Sequence, residues 1–216
     1  MIPIKQAMEC DIPIHGNTDS YKFHLRIGFI ETECCIFFKK DIELEKKPSV
    51  IYRPMSQPDI DCIHVAFKSK GWPKPREVLE KYYREQENGE RTVIVAEIDG
   101  NIAGYVTLLP EAKKAMPYYG KNIPEIKDFF VFEKFRRCGI GNGLMDEIEV
   151  VAAGIAETVC FGVGLHSGYG AAQRMYVKRG YIPDGSGAWD GTTPANPYGI
   201  VENGDDLVLY MSKKLR

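Results

Sequence analysis

Glu125–Ala156 reads EIKDFFVFEKFRRCGIGNGLMDEIEVVAAGIA, and its parts decide the fold. Lys127–Phe132 carries Phe129, Phe130, Val131 and Phe132, an apolar run that predicts a short buried strand. A basic glycine turn follows, Arg136-Arg137-Cys138-Gly139-Ile140-Gly141. Leu144, Ile148 and Val151 then recur at helical spacing, with Asp146, Glu147 and Glu149 between them. A strand that feeds a helix through glycines leaves the first helical amides without partners one turn back. Those amides and the helix dipole favour an anion. Glycine lets a phosphate approach the backbone, and two arginines add charge for it. Taken alone, the six-residue pattern favours a glycine turn opening an ordinary helix, with solvated arginines.

A second pattern lies downstream, Tyr169-Gly-Ala-Ala172-Gln-Arg-Met175-Tyr176-Val-Lys-Arg-Gly180-Tyr181. Arg136-x-x-Gly139-x-Gly141 resembles the acetyl-coenzyme A signature of the GNAT superfamily of N-acetyltransferases, Gln/Arg-x-x-Gly-x-Gly/Ala. The Tyr169–Tyr181 stretch resembles that family's Asn-x-x-Ala-x-x-Phe-Tyr-x-x-x-Gly-Phe, with Tyr169 where asparagine is usual. The resemblance covers residues 50–216. It implies a mixed α/β fold, GNAT-like: a central, mostly antiparallel sheet with a splayed parallel strand pair, flanked by helices. The splayed pair would be Lys127–Phe132 and Thr158–Leu165.

The resemblance also implies acetyl-coenzyme A as cosubstrate, and no metal. The amides of Arg137, Cys138, Gly139, Ile140, Gly141 and Asn142 would hold its pyrophosphate, with Arg136 or Arg137 near a phosphate. Phe129, Phe130 and Val131 would lie along the thioester, amides near Val131 polarising its carbonyl. Tyr169, Ala172 and Tyr176 would meet the pantetheine arm. Acetyl transfer needs a neutral amine, yet a free alkylamine has a pKa near ~10.4, so a base must take its proton. The departing thiolate needs a proton in return. Tyr176 maps onto the family's acid, and a phenol can donate throughout neutral pH; a packed tyrosine that only orders the coenzyme is the alternative. Asp128, a carboxylate inside an apolar strand, is the candidate base. It could equally point across the strand and bridge a lysine. His166 is the second candidate. Cys138 reads as a small residue filling the turn.

Composition narrows the classes. The chain has 216 residues and a formal net charge of −2, which supports neither nucleic acid nor an anionic membrane surface as partner. No apolar run approaches the ~20 residues of a membrane helix, and the N-terminus does not read as a signal peptide. Six cysteines and four histidines are scattered, and only Cys34 and Cys35 are adjacent. That pattern suits a reduced, cytoplasmic, metal-free protein.

In chain order, Val50–Pro54 predicts a strand, Asp59–Lys68 and Arg76–Gln86 helices, and Thr92–Ile98 with Ile102–Leu109 a hairpin around Asp99-Gly100. The central strand, turn and helix come next. Thr158–Leu165 predicts a strand, Ala171–Lys178 a helix, Pro183–Asp206 a long loop and Leu207–Met211 the last strand. Asp41–Pro48 is a charged linker, which divides a 1–46 extension from a complete catalytic domain at 47–216. Residues 13–45 resemble the end of an aminoglycoside 6-prime N-acetyltransferase: a helix from Asn17, a stop at Gly28, then strand-forming residues. Too small for its own core, this remnant would need the edge of a sheet, its own chain's or a second copy's, which points to a homodimer.

The acceptor is expected opposite the coenzyme, against the early helices and long loops. Trp72, Tyr82, Tyr118 and Trp189 are its candidate walls. A small-molecule amine, antibiotic-like or metabolite-like, fits a closed cup. A non-catalytic acyl-coenzyme A-binding module and a protein N-acetyltransferase are the competing functions.

Overall fold

The computed structural model describes residues 49–69, 71, 74–113 and 115–216, together with Phe29–Ile30 and Lys39–Lys40. The chain divides into two units, residues 1–47 and 48–216. In the first, Phe29–Ile30 pairs antiparallel with Lys39–Lys40, Phe29 opposite Lys40. The helix expected from Asn17 and the body of the strand around Glu33–Phe38 lie outside the described residues.

The second unit runs β1 (Val50–Pro54), α1 (Asp59–Lys68), α2 (Arg76–Glu87), β2 (Thr92–Ile98), β3 (Asn101–Leu109), β4 (Glu125–Val131), α3 (Ile140–Ile155), β5 (Thr158–Gly164), α4 (Gly170–Lys178), β6 (Ile182–Asp190), β7 (Thr193–Pro194) and β8 (Leu207–Lys214). These strands form one sheet in the order β1-β2-β3-β4-β5-β8-β6-β7. Every neighbouring pair is antiparallel except β4 with β5, which is parallel.

The sheet is covered on both faces, which is why its strands read as nearly continuous apolar runs. Ile94, Ala96, Val106, Ile126, Phe161 and Val163 pack with Leu144, Met145 and Ile148 of α3. On the other face Val93, Val95 and Tyr105 pack with Ile60, Ile63 and Phe67 of α1 and Leu79 of α2. Successive strand residues point to opposite faces, so β2 feeds both cores in turn. Between β2 and β3, Asp99 and Gly100 both have positive φ, 48° and 75°. That is the mirror-image turn whose twist suits a two-residue hairpin.

One segment departs from expectation. Pro183–Asp206 is not a loop throughout: residues 182–190 form β6 against β8, and Thr193–Pro194 adds a short edge strand. The pairing jumps from Leu209–Ala188 to Met211–Pro183, so four residues bulge opposite Tyr210. Gly185 and Gly187 within the bulge have φ of 85° and 83°. Such a bulge breaks the two-residue alternation by which a strand is recognised in sequence.

Candidate active site

Two local irregularities build the site. The first is the parting of β4 and β5. The parallel strands share one pairing, Glu125 with Cys160, supported by the Cys160 amide donating to the Pro124 carbonyl at 3.0 Å. Beyond it each strand keeps its outer partner, β3 for β4 and β8 for β5, while the two draw apart. The second is a bulge in β4. Tyr105 faces Phe130 and Thr107 faces Lys127, so Asp128 and Phe129 together oppose Val106. Asp128 absorbs the extra residue with φ of 45°. A non-glycine residue in that region is strained and recurs where a side chain is re-aimed.

The turn after β4 is shaped by left-handed backbone at Arg137 (φ 63°) and at Gly139 (φ 85°), which caps α3. The first bond of the helix is the Gly143 amide to the Gly139 carbonyl, 3.1 Å. The amides of Ile140, Gly141 and Asn142 belong to the turn that has no carbonyl behind it. Gly141 faces the Phe129 ring and the Met175 sulfur, so the start of α3, β4 and α4 meet there. Arg136 does not reach outward freely: its Nε donates to the Val131 carbonyl at 2.9 Å, and its guanidinium lies 5.7 Å from the Phe130 ring centre. Arg137 and Cys138 are exposed. This arrangement fits the pyrophosphate of a coenzyme: turn amides, a helix N-terminus and the exposed Arg137.

Helix α4 is held against α3 by charge. Arg179 reaches Asp146 at 2.7 Å and Glu149 at 3.0 Å, and Lys213 of β8 reaches Glu149 at 2.6 Å. The Tyr181 hydroxyl donates to the same Glu149, 3.1 Å. This clamp sets Tyr176, whose ring packs on Phe161 (4.3 Å between centres) and lies 6.3 Å from Phe129. Tyr176 thus sits between residues of both parting strands. Burial, with a smaller push from Tyr169, raises its hydroxyl well above the ordinary phenol value. Ala172 is half-buried on the same helix. The Tyr169 ring covers Gly164 and its hydroxyl donates to Asp205 at 2.9 Å. Burial and Asp205 push that hydroxyl up to about 12.

Phe129 and Phe130 point to opposite faces. Phe129 looks toward α3 and α4, while Phe130 packs on Phe67 of α1, 4.7 Å between centres. On this second face the bulge delivers Asp128 to the ammonium of Lys74, which contacts its Oδ2. Of the two expectations for Asp128, the lysine bridge is therefore present, and Tyr82 and Tyr105 stand beside the same carboxylate. Burial first and Asp128 second raise both tyrosine hydroxyls.

His166, the second candidate base, has both ring nitrogens occupied. Its Nδ1 accepts from the Gly168 amide at 3.1 Å, so the proton sits on Nε2, 3.0 Å from Asp205. His166 and Tyr169 together hold Asp205 below the usual carboxylate range. Glu125, which sequence reasoning passes over, is fully buried beside Cys160 where the strands part; the Lys127 ammonium is 2.8 Å from its Oε1. Its signal lies in the alternation Glu125, Lys127 within an apolar strand, both on the face that also carries Tyr105.

The expected acceptor walls fall into two groups. Tyr82 stands at Asp128. Tyr118 and Trp189 both pack on Tyr210, with ring centres 6.5 Å and 5.7 Å away. Trp72 lies outside the described residues. Among the described residues no group of three or more His, Cys, Asp or Glu is placed to hold a metal, and no helix is long and apolar enough to cross a membrane.

Residues 58–181 match the Acetyltransferase (GNAT) family. No curated protein matches the sequence. Solved structures with this fold include an N-acetyltransferase from Staphylococcus aureus Mu50, 16% identical with a TM-score of 0.58 over 78% of this chain and 99% of that one. A ribosomal-protein-alanine N-acetyltransferase from Brucella melitensis is 17% identical, TM-score 0.57, over 76% and 99%. An aminoglycoside 6'-N-acetyltransferase complexed with coenzyme A is 18% identical, TM-score 0.54, over 77% and 97%. At such identities the likeness is one of fold. The family match spans more than half of the chain, and the parting strands, glycine turn and following helix lie within it: the chain belongs to the acetyltransferase (GNAT) family.

Proposed function

We propose that this acetyltransferase moves an acetyl group from acetyl-coenzyme A to a primary amine of a small molecule. The observation that carries the reading is the parting of β4 and β5 beyond the Glu125–Cys160 pairing, with Tyr176 set between the two strands and α3 opening at its end. Bound there, the coenzyme supplies an activated acetyl group as a thioester. The amides from Arg137 to Asn142 hold its pyrophosphate, with Arg137 rather than Arg136 free to reach a phosphate. The β4 amides around Val131 orient and polarise the acetyl carbonyl. Tyr176 keeps a proton on its phenolic oxygen, because burial disfavours the phenolate. That proton is available to a thiolate.

The amine's proton must leave on the face that carries Asp128 and Glu125. Asp128 is engaged with Lys74, and Glu125 sits at the closed end of the gap with Lys127 at its oxygen. These two carboxylates are the groups to test as base, directly or through water. Tyr82, Tyr118 and Trp189 are proposed to wall the acceptor. The similar structures include enzymes named for a small molecule and for a protein, so the choice between them rests on this face. Lys74 and Tyr82 stand at Asp128, and Tyr118 and Trp189 pack on Tyr210, an aromatic lining that supports a compact acceptor. A panel of small amines and N-terminal peptides, followed by thiol release from acetyl-coenzyme A, tests the reading. Turnover with peptides alone would move the protein to the other substrate class.

A further inference from the structure

Lys74 lies just before α2 with its side chain largely buried. Its ammonium is 5.6 Å from the ring centre of Phe67, 5.7 Å from that of Tyr82 and 5.6 Å from that of Tyr105. The fourth side is the Asp128 carboxylate, brought there by the β4 bulge. Three aromatic faces and one carboxylate around a single charge form an ammonium cage. The walls are fixed independently of the lysine. Phe67 and Tyr105 belong to the core under α1, Arg91 stacks 4.3 Å from the Tyr82 ring, and Arg91 is itself held by Glu85 at 2.6 Å. The Tyr105 hydroxyl is fully buried beside the Asp128 carboxylate.

We infer that this cage is the acceptor's ammonium site, and that Lys74 is its tethered occupant, which an incoming amine must displace. The inference rests on the reading of the reaction given above and adds the regulation of its acceptor side. Lys74 has the same head group as the amine it competes with, a primary alkylammonium. Because it is tethered, its effective concentration at the cage is fixed by the chain and does not fall on dilution. An acceptor then binds more weakly than the empty cage would allow, in proportion to the fraction of time the cage is free. Acceptors with a second group that engages the remaining face overcome this competitor, and minimal amines do not. The lysine thus acts as a selectivity filter against small monoamines.

The test uses the full chain, without coenzyme, and n-butylammonium as probe. Lys74→Met keeps the length and apolar stem and removes the charge. By calorimetry, the K74M protein should bind n-butylammonium about tenfold tighter than the parent, the ratio expected when the occupant is in place nine-tenths of the time. Adding Asp128→Asn should abolish that gain. Equal affinity of parent and K74M, or a gain that survives Asp128→Asn, overturns the inference. Should K74M fail to fold, acylation of the parent by a soluble acetylating reagent gives the same answer: Lys74 should react about tenfold more slowly than exposed Lys81, and n-butylammonium should speed Lys74 alone. Equal rates, or no effect of the amine, overturn it. Coenzyme A binding is measured separately. If it binds while the amine results are negative, only the cage falls; if it does not bind, the reading of the reaction falls regardless of the cage.

Discussion

Tyr176 shows how much and how little a single residue discloses. Its position in the Tyr169–Tyr181 pattern is readable, and so is the phenol's ability to donate. Its surroundings are not, because Phe129 and Phe161 are distant in sequence and meet it only through the sheet. Tyr176→Phe keeps the ring and its packing and removes one proton. Turnover with a confirmed amine should fall by ~10²–10⁴-fold while coenzyme A affinity stays within a factor of a few. Parent-like turnover would make it a packing residue. The raised hydroxyl gives a pH expectation as well. A phenol pushed upward stays protonated beyond its usual value of ~10, so no alkaline fall in rate below that pH belongs to Tyr176. Asp128 carries two opposed expectations, and sequence does not choose between them. The bulge that aims it depends on a pairing jump against β3, and the lysine that meets it comes from another part of the chain.

At the scale of elements, the glycine turn is the most readable part, since the turn, the following helix and the preceding strand each have local signatures. Gly139 has open space where a side chain would stand but a φ of 85°, so its cost on substitution is backbone strain rather than collision. Gly139→Val should reduce coenzyme A affinity at least tenfold by tilting the first amides of α3, with the protein still folded by circular dichroism. Unchanged affinity by calorimetry would remove the turn from the coenzyme site. Helix α1 is anchored by a different device. Arg53 of β1 forks onto Asp59 at 2.7 and 2.9 Å and also holds Glu97. The Ser56 amide and hydroxyl donate to Asp59 Oδ2. Burial alone would raise the Asp59 carboxyl, but Arg53 and Ser56 outweigh it and hold it low. The stabilisation is therefore complete above the unfolded value of ~3.9 and is lost as pH falls through the lower folded value. Asp59→Asn should cost about 2 kcal/mol near neutrality, roughly 4–8 °C in Tm. The gap between parent and variant should close below about pH 4 in thermal melts; a constant gap would mean that charge is not the cause. Strand β6 escapes the sequence because its bulge and positive-φ glycines imitate a loop.

For the whole molecule, the order of elements is recoverable from the chain because each neighbour pair in sequence is also close in space, apart from β8, which inserts between β5 and β6. That insertion, and the face on which Glu125, Asp128 and Tyr105 converge, follow from long-range pairing that no local pattern encodes. The single pairing between β4 and β5 carries a further consequence. The sheet is two rafts joined at a short seam, β1–β4 on one side and β5 with β8, β6 and β7 on the other. Backbone amides facing the open part of the seam have no strand across from them, so in the free protein they should trade hydrogen for deuterium orders of magnitude faster than those facing β3 or β8. Coenzyme A lodged in the seam should slow peptides covering Ile126–Phe132 and Val159–Leu165 by about tenfold or more, leaving the β2–β3 hairpin unchanged. Uniform slowing across the sheet would mean that the rafts respond as one body, and the seam would then be a feature of shape without a separate stability of its own.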